Sequence, residues 1–265
     1  MKKAFIKVLI ILSSIYIIFC VFFFFFQEKF IFYPEKLDKN YKFNFNQNFE
    51  EIDIKADDGT ILNGLLFKTE KSKGLIFYLH GNAGALDSWG QIAPIYTALG
   101  YDIFFLDYRG FGKSQGSINS QSQLFSDTQT AYNEMKQRYD ENKIIVLGFS
   151  IGTGMASKIA FENNPRLLIL QAPYYSLTNV IQSICPIIPN LAVKYKLETY
   201  KYVSKCRIPI IIFHGDADNI IDYNNSMKLK TLLKRTDSLI TLKGEGHNTI
   251  TENDEYQKKI SEILN

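Results

Sequence analysis

The chain has 265 residues, 46% of them hydrophobic, with 30 Lys and Arg against 27 Asp and Glu and a formal net charge of +3. So even a balance leaves no electrostatic footprint for nucleic acid and allows at most a mild attraction to anionic lipid. The length suits one domain with an N-terminal appendage, and neither an internal repeat nor a low-complexity linker divides it.

The appendage comes first. Met1, Lys2, Lys3 and Lys7 form a positive cluster, and residues 8–26 are uncharged and almost wholly apolar. That stretch makes about 28 Å of helix, close to the hydrocarbon thickness of a bilayer. A cleaved signal peptide shares the charged start. Here, however, the apolar core is long for that role, and Phe22 to Phe26 offer a peptidase no small residue. Ile17-Ile18-Phe19 likewise lack the small residues expected before a lipidated Cys20. An uncleaved single-pass membrane anchor over residues 1–29 is therefore expected. Lys29, Lys36, Lys39 and Lys42 stand across the span from Lys2, Lys3 and Lys7, so the positive-inside count is nearly even. The N-terminal cluster favours an outward-facing domain.

Residues 49–54 alternate crudely, and residues 60–67 follow the turn signal Asp57-Asp58-Gly59, so the two read as a hairpin. Residues 73–79 read as a strand running into His80-Gly81-Asn82-Ala83-Gly84. A helix over 88–99 stopped by Gly100 comes next, then a strand over 103–106 ending at Asp107 and a Gly-Phe-Gly turn. Residues 120–138 read as a longer helix. The apolar run 144–147 reaches Gly148-Phe149-Ser150-Ile151-Gly152 and a helix-like segment, and 167–170 is another buried strand. Over 172–207 the pattern fails: Pro173, Pro186 and Pro189 interrupt an apolar, tyrosine-rich stretch that suits either a lid or ordinary helices packed on the sheet. Residues 208–213 read as a strand followed by His214-Gly215-Asp216-Ala217-Asp218, and 238–242 as a strand leading to Gly244-Glu245-Gly246-His247-Asn248. Strands alternating with helices predict an α/β fold, a mostly parallel central sheet with helices on both faces.

The pattern G-x-S-x-G between strand and helix is the nucleophile elbow, whose partners follow in the order Ser, Asp or Glu, His. Its tight turn strains the serine backbone and tolerates only very small neighbours two residues either side. A serine hydroxyl is a poor nucleophile at neutral pH, so an imidazole must take its proton, and a carboxylate must fix that imidazole's tautomer. Of the three histidines, His80 and His214 each precede a glycine at a strand end, a position suited to bracing a loop. His247 is left as the base. Asp218 is the expected acid, with Asp216 as its rival, the rival's other reading being a turn residue bonded to its own backbone. Ser150, Asp218 and His247 are thus the expected catalytic residues. The His80 to Gly84 loop matches the H-G-x-x-G pattern after a third strand, so the backbone amides of Asn82 and Ile151 are the expected oxyanion donors. A glycine turn capping the next helix is compatible with the same residues. Tyr174 and Leu177 are candidate substrate contacts. Cys185 and Cys206 flank the insertion and suit either a disulfide in an oxidising compartment or two free thiols. With no Cys/His metal pattern and no dinucleotide-type glycine loop, no cofactor or metal is expected.

Together these segments resemble the α/β-hydrolase superfamily of serine hydrolases. Within it they are most similar to the membrane-anchored branch that holds the hydrolase-domain depalmitoylases and their bacterial relatives. The resemblance is carried by Phe32-Tyr33-Pro34, Asp58-Gly59, His80-Gly81-Asn82-Ala83-Gly84, Asp107-Tyr108-Arg109-Gly110-Phe111-Gly112-Lys113-Ser114, the elbow, His214-Gly215-x-x-Asp218 and Gly246-His247-Asn248. It covers nearly the whole chain from residue 30 to residue 250. Relatives often carry an acidic residue soon after the catalytic His-Asn, where this chain has Thr249, which weakens transfer of a substrate but not of the triad. The resemblance implies an α/β-hydrolase domain over 30–265 with a lid-like insertion at 172–207, and structural roles for Asp107 and Arg109 in an ion pair that holds the active-site floor. It also implies cleavage of a carboxylic ester or thioester, with lipid-like character suited to an apolar lid, and a monomer is expected. A serine peptidase or amidase of the same fold is the alternative enzyme, and a catalytically silent, membrane-tethered binding or scaffold protein is the alternative outside enzymes.

Overall fold

A computed structural model describes all 265 residues. In chain order the elements are α1 (Lys2–Phe26), α2 (Glu28–Ile31), β1 (Tyr33–Pro34), β2 (Phe49–Lys55), β3 (Ile61–Phe67), β4 (Leu75–Leu79), β5 (Ala83–Gly84), α3 (Leu86–Trp89), α4 (Ala93–Thr97) and β6 (Asp102–Leu106). Then follow α5 (Gln121–Arg138), β7 (Ile144–Phe149), α6 (Gly152–Glu162), β8 (Leu167–Gln171), α7 (Leu177–Ile184), α8 (Thr199–Val203), β9 (Ile210–Gly215), α9 (Asn224–Lys230), β10 (Ser238–Leu242) and α10 (Asp254–Leu264).

Eight strands form one sheet in the order β10-β9-β8-β7-β4-β6-β3-β2. The hairpin β2–β3 and the pair β3–β6 are antiparallel, and every other neighbour is parallel. Strands covered on both faces need apolar side chains at every position. In β4, Leu75, Phe77 and Leu79 enter the core shared with α5 and α6, while Ile76 and Tyr78 enter the opposite core with Tyr96 and Tyr256. The edge strand β2 buries Ile52 and Ile54 and turns Glu51, Asp53 and Lys55 outward, hence its alternation.

Two expected segments are subdivided. The helix over 88–99 is three pieces, α3, a 3-10 turn at Gly90–Ile92, and α4 with Pro94 in its first turn. Proline has no N–H to continue a helix but suits the start of one, so the chain restarts there. The proline-broken stretch also splits. Its second half, α8, packs on α6 with Thr199 and Val203 buried. Its first half, α7 and a 3-10 turn at Asn190–Ala192, lies beside α1. The cysteines are free: Cys206 is buried with its Sγ toward the Ala160 carbonyl, whereas Cys185 sits in the small cluster around Phe23.

Helix α1 is long and apolar enough to cross a membrane, and only Phe23 is buried along it. Its joint to the domain is polar and buried. The fully buried Gln27 donates through Nε2 to the carbonyls of Phe24 and Ala192, both at 3.1 Å, and its Oε1 accepts the Lys194 amide at 2.9 Å.

Candidate active site

Consecutive strands run from β4 outward to β6 on one side, while β7, β8, β9 and β10 run outward on the other. The carboxyl ends of β4 and β7 therefore flank the point where strand order reverses, which is where open α/β sheets place their ligands. The loop after β4 is His80 to Gly84, and the residue after β7 is Ser150.

Ser150 has a φ of 51°, in the left-handed region. For a non-glycine residue this costs on the order of 1–3 kcal/mol and persists only where neighbours enforce it. The Ser150 amide donates to Gln171 O at 2.9 Å, and its carbonyl accepts the Thr153 amide at 3.0 Å and the Thr153 hydroxyl at 2.6 Å. The flanking glycines are steric necessities. A Cβ at Gly148 would stand 2.7 Å from the Gly152 carbonyl oxygen, and one at Gly152 would stand 2.0 Å from Leu79 O.

The structure brings Ser150, His247 and Asp218 together. Ser150 Oγ lies 2.9 Å from His247 Nε2, and His247 Nδ1 lies 2.7 Å from Asp218 Oδ2. All three side chains are buried. Asp218 Oδ1 accepts the Ile220 and Ile221 amides, each at 2.8 Å. Burial pushes the Asp218 carboxyl up, but hydrogen bonds from His214 and His247 and the Ile221 amide outweigh it and hold the group well below the ordinary carboxylate range. Ionised Asp218 then requires the proton of His247 on Nδ1, which leaves Nε2 free to accept from the serine hydroxyl.

His214 is a bonding partner that the sequence does not pair with the acid. Its Nε2 faces two acceptors, Asp218 Oδ2 at 3.1 Å and Ile221 O at 2.9 Å, so it carries the proton, while Nδ1 accepts from the Ser226 hydroxyl at 2.6 Å. The rival Asp216 lies apart from His247: its Oδ1 accepts the Gly244 amide at 2.6 Å and ties down the loop that leads to the histidine.

Asp107 and Arg109 are not each other's partners. Arg109 bonds Asp127 through Nε at 2.5 Å and Asp58 through Nη1 at 2.6 Å. Asp107 instead faces His80, with Oδ1 3.5 Å from Nε2. The ion pair expected at this loop is therefore Arg109 with Asp58 and Asp127. His80 braces the loop, as its place before a glycine suggests: Nδ1 donates to Gly81 O at 2.7 Å, and its carbonyl accepts the Tyr108 hydroxyl at 2.8 Å.

The amides of Asn82 and Ile151 donate to no group of the protein, and both residues border the same groove as Ser150. That groove, about 300 Å³, also has Tyr174 and Leu177 in its wall. Tyr174 is committed besides to the elbow, since its hydroxyl donates to the Ile151 carbonyl at 2.9 Å. Three further wall residues, Phe30, Ile31 and Tyr33, come from the segment just after α1, and the sequence reading does not assign them to the site. They are held by β1 pairing with β5, where the Tyr33 amide donates to Asn82 O and Asn82 Nδ2 donates to Ile31 O, both at 2.8 Å. The only hint was the motif Phe32-Tyr33-Pro34 just past the apolar segment.

Comparison with known proteins bears on this arrangement. Residues 70–202 match the family described as serine aminopeptidase, S33 (Hydrolase_4). The uncharacterized protein YfhR of Escherichia coli K12 is 30% identical over 209 residues, covering 75% of this chain and 73% of the relative. Alpha/beta hydrolase domain-containing protein 17C of Xenopus tropicalis is 28% identical over 202 residues, covering 73% of this chain and 62% of the relative. Among solved structures, the esterase Pf2001 of Pyrococcus furiosus superposes with a TM-score of 0.70 at 16% identity, covering 88% of this chain and 97% of its own. At that identity the likeness concerns the fold alone.

Proposed function

This chain belongs to the serine aminopeptidase S33 family and has the α/β-hydrolase fold, and from that premise we propose that it is a membrane-anchored serine hydrolase cleaving carboxylic ester or thioester bonds. Residues 1–29 are assigned to the anchor and 30–265 to the hydrolase domain, with 172–207 as a lid-like insertion. The observation that carries this reading is the continuous hydrogen-bonded line Ser150–His247–Asp218 at a groove whose wall is almost entirely apolar.

In the proposed reaction Ser150 Oγ attacks the carbonyl carbon while its proton passes to His247 Nε2. The carbonyl oxygen becomes an oxyanion held by the amides of Asn82 and Ile151, donors typically worth roughly 10²–10³ each in rate. The imidazolium, stabilised by Asp218, then protonates the departing alcohol or thiol. Water repeats the sequence on the acyl-enzyme, giving its proton to His247 and releasing the acid. An ester fits this groove better than an N-terminal peptide. An aminopeptidase needs a carboxylate facing the substrate's ammonium group, and the residues lining this groove include none.

The test is labelling with a fluorophosphonate probe. Labelling should vanish in Ser150→Ala and weaken in His247→Ala, and ester turnover should disappear with Ser150. Wild-type labelling or turnover in a folded Ser150→Ala protein would end this mechanism.

A further inference from the structure

No charged side chain occurs between Arg166 and Lys194, and the later part of that stretch packs along α1. Phe23 is buried against Ile188, Ala192 and Val193, and the Tyr16 hydroxyl donates to the Ile187 carbonyl at 2.9 Å. The two uncharged segments regain charge at one level. Lys194 pairs there with Glu28 and lies over the Phe24 ring at 5.5 Å, while the Tyr195 hydroxyl donates to Glu28 at 3.0 Å. Aromatic and cationic side chains gathered at the end of apolar segments mark a membrane–water boundary.

Helix α1 has no spare length. Its uncharged part is about 28 Å long, against a hydrocarbon layer of about 30 Å. Raising its last turns into water would draw Lys7 into hydrocarbon and expose the run from Phe22 to Phe26. Tyr16 lies ten residues before Phe26, roughly 15 Å deeper along the helix axis. Whatever packs against Tyr16 is therefore inside the bilayer. The side chains there suit that medium: Ile184, Ile187 and Leu191 are 78%, 59% and 90% exposed in the isolated chain, on a stretch of sequence that carries no charged residue.

The groove leads to this patch. Helix α7 turns Leu177, Ile181 and Ile184 toward it at helical spacing, from the Ser150 neighbourhood to the α1 side. Phe30 and Tyr33, which follow α1 directly, form the facing wall. We propose that residues 184–193 are a second membrane-embedded element docked on α1, and that the groove opens sideways into the leaflet. A long acyl chain then reaches Ser150 from the bilayer rather than from water. The proposal rests on the anchor and hydrolase readings above.

The experiment places the full-length protein in phosphatidylcholine vesicles containing a phosphatidylcholine brominated in mid-acyl chain. Trp89 is the only native tryptophan, so emission added by Leu191→Trp or by Ile15→Trp is read as a difference. Both added tryptophans should be quenched severalfold more than Trp89. Quenching of Ile15→Trp without Leu191→Trp overturns the proposal and spares the anchor; quenching of neither removes both. Hydrolysis supplies the second arm. The double variant Ile187→Glu, Leu191→Glu should lose about tenfold on vesicle-borne p-nitrophenyl palmitate through KM, while aqueous p-nitrophenyl acetate is cleaved at the wild-type rate. Equal loss on both esters, or loss on neither, overturns sideways entry. A wild-type protein inert on both removes the hydrolase reading and acyl entry with it. Turnover of a diacyl glycerolipid or of an S-acylated membrane peptide in the same vesicles supports the proposal and identifies the source of the chain.

Discussion

The same dipeptide stands at the carboxyl ends of two strands, His80-Gly81 just after β4 and His214-Gly215 as the last residues of β9, and in both cases the imidazole is fully buried and faces an aspartate. There the likeness stops. His214 uses both ring nitrogens, and the carboxylate it meets, Asp218, collects four donors in all. His80 Nε2 and the Asp107 oxygen opposite it, 3.5 Å away, have no hydrogen-bond partner. The two acids respond in opposite senses. Asp218 is held low by its donors, while burial pushes Asp107 up, against a smaller lowering by His80. A buried aspartate beside a histidine is thus an ionised group at one strand end and a reluctant one at the other, and the number of donors reaching it decides which.

The comparison can be broken in four places. Asp218→Asn should cost the most, with kcat falling about 10⁴-fold, because an amide no longer selects the His247 tautomer. His214→Leu should lower kcat about ten- to a hundredfold at unchanged KM, the loss expected when one hydrogen bond to a charged group disappears. Steady-state kinetics on a soluble ester checks both, and a His214→Leu rate equal to wild type would reduce His214 to a filler. His80→Leu should act on the fold instead, removing about 1–3 kcal/mol in denaturant melts while changing kcat less than His214→Leu does.

The smallest effect is in the pH dependence of stability. The lowered Asp218 contributes stability that is complete above about pH 4, the unfolded value, and is lost as pH falls through the folded one. The raised Asp107 does the reverse: its contribution is complete below about pH 4 and is lost as pH rises toward its raised value. Tm profiles should therefore diverge. The deficit of Asp218→Asn relative to wild type shrinks toward acid, and Asp107→Asn gains on wild type toward neutrality. Parallel profiles would show that the two acids are alike after all.

What the sequence shows well is what lies within a few residues. Gly148, Ser150 and Gly152 announce the elbow because the steric demands on all three arise inside one turn. Asp218 is legible because it follows the apolar run 208–213, which reads as a buried strand, and His247 because it follows a short strand candidate and the other two histidines each precede a glycine at a strand end. Partners brought together by the fold are not. Arg109 meets Asp58 from 51 residues away and Asp127 from 18, and nothing local favours them over Asp107, two residues off. Strands β1 and β5 are two residues each, too short for any periodicity, yet they carry one wall of the groove. The stretch 172–207 defeats a single description because its halves pack on different things, α8 on α6 and α7 beside α1.

That two-residue pairing of β1 with β5 bears on proteolytic shedding. Many tethered ectodomains are released intact by a cut in the stalk next to the membrane. Here there is no stalk: Gln27 is buried, Ile31 and Tyr33 are bonded to Asn82, and Phe30 lines the groove. A cut anywhere between Gln27 and Pro34 would free the domain only by stripping a wall from its groove and loosening the residue that is assigned to hold the oxyanion. On the proposed anchor and hydrolase readings, release would silence this protein rather than relocate it.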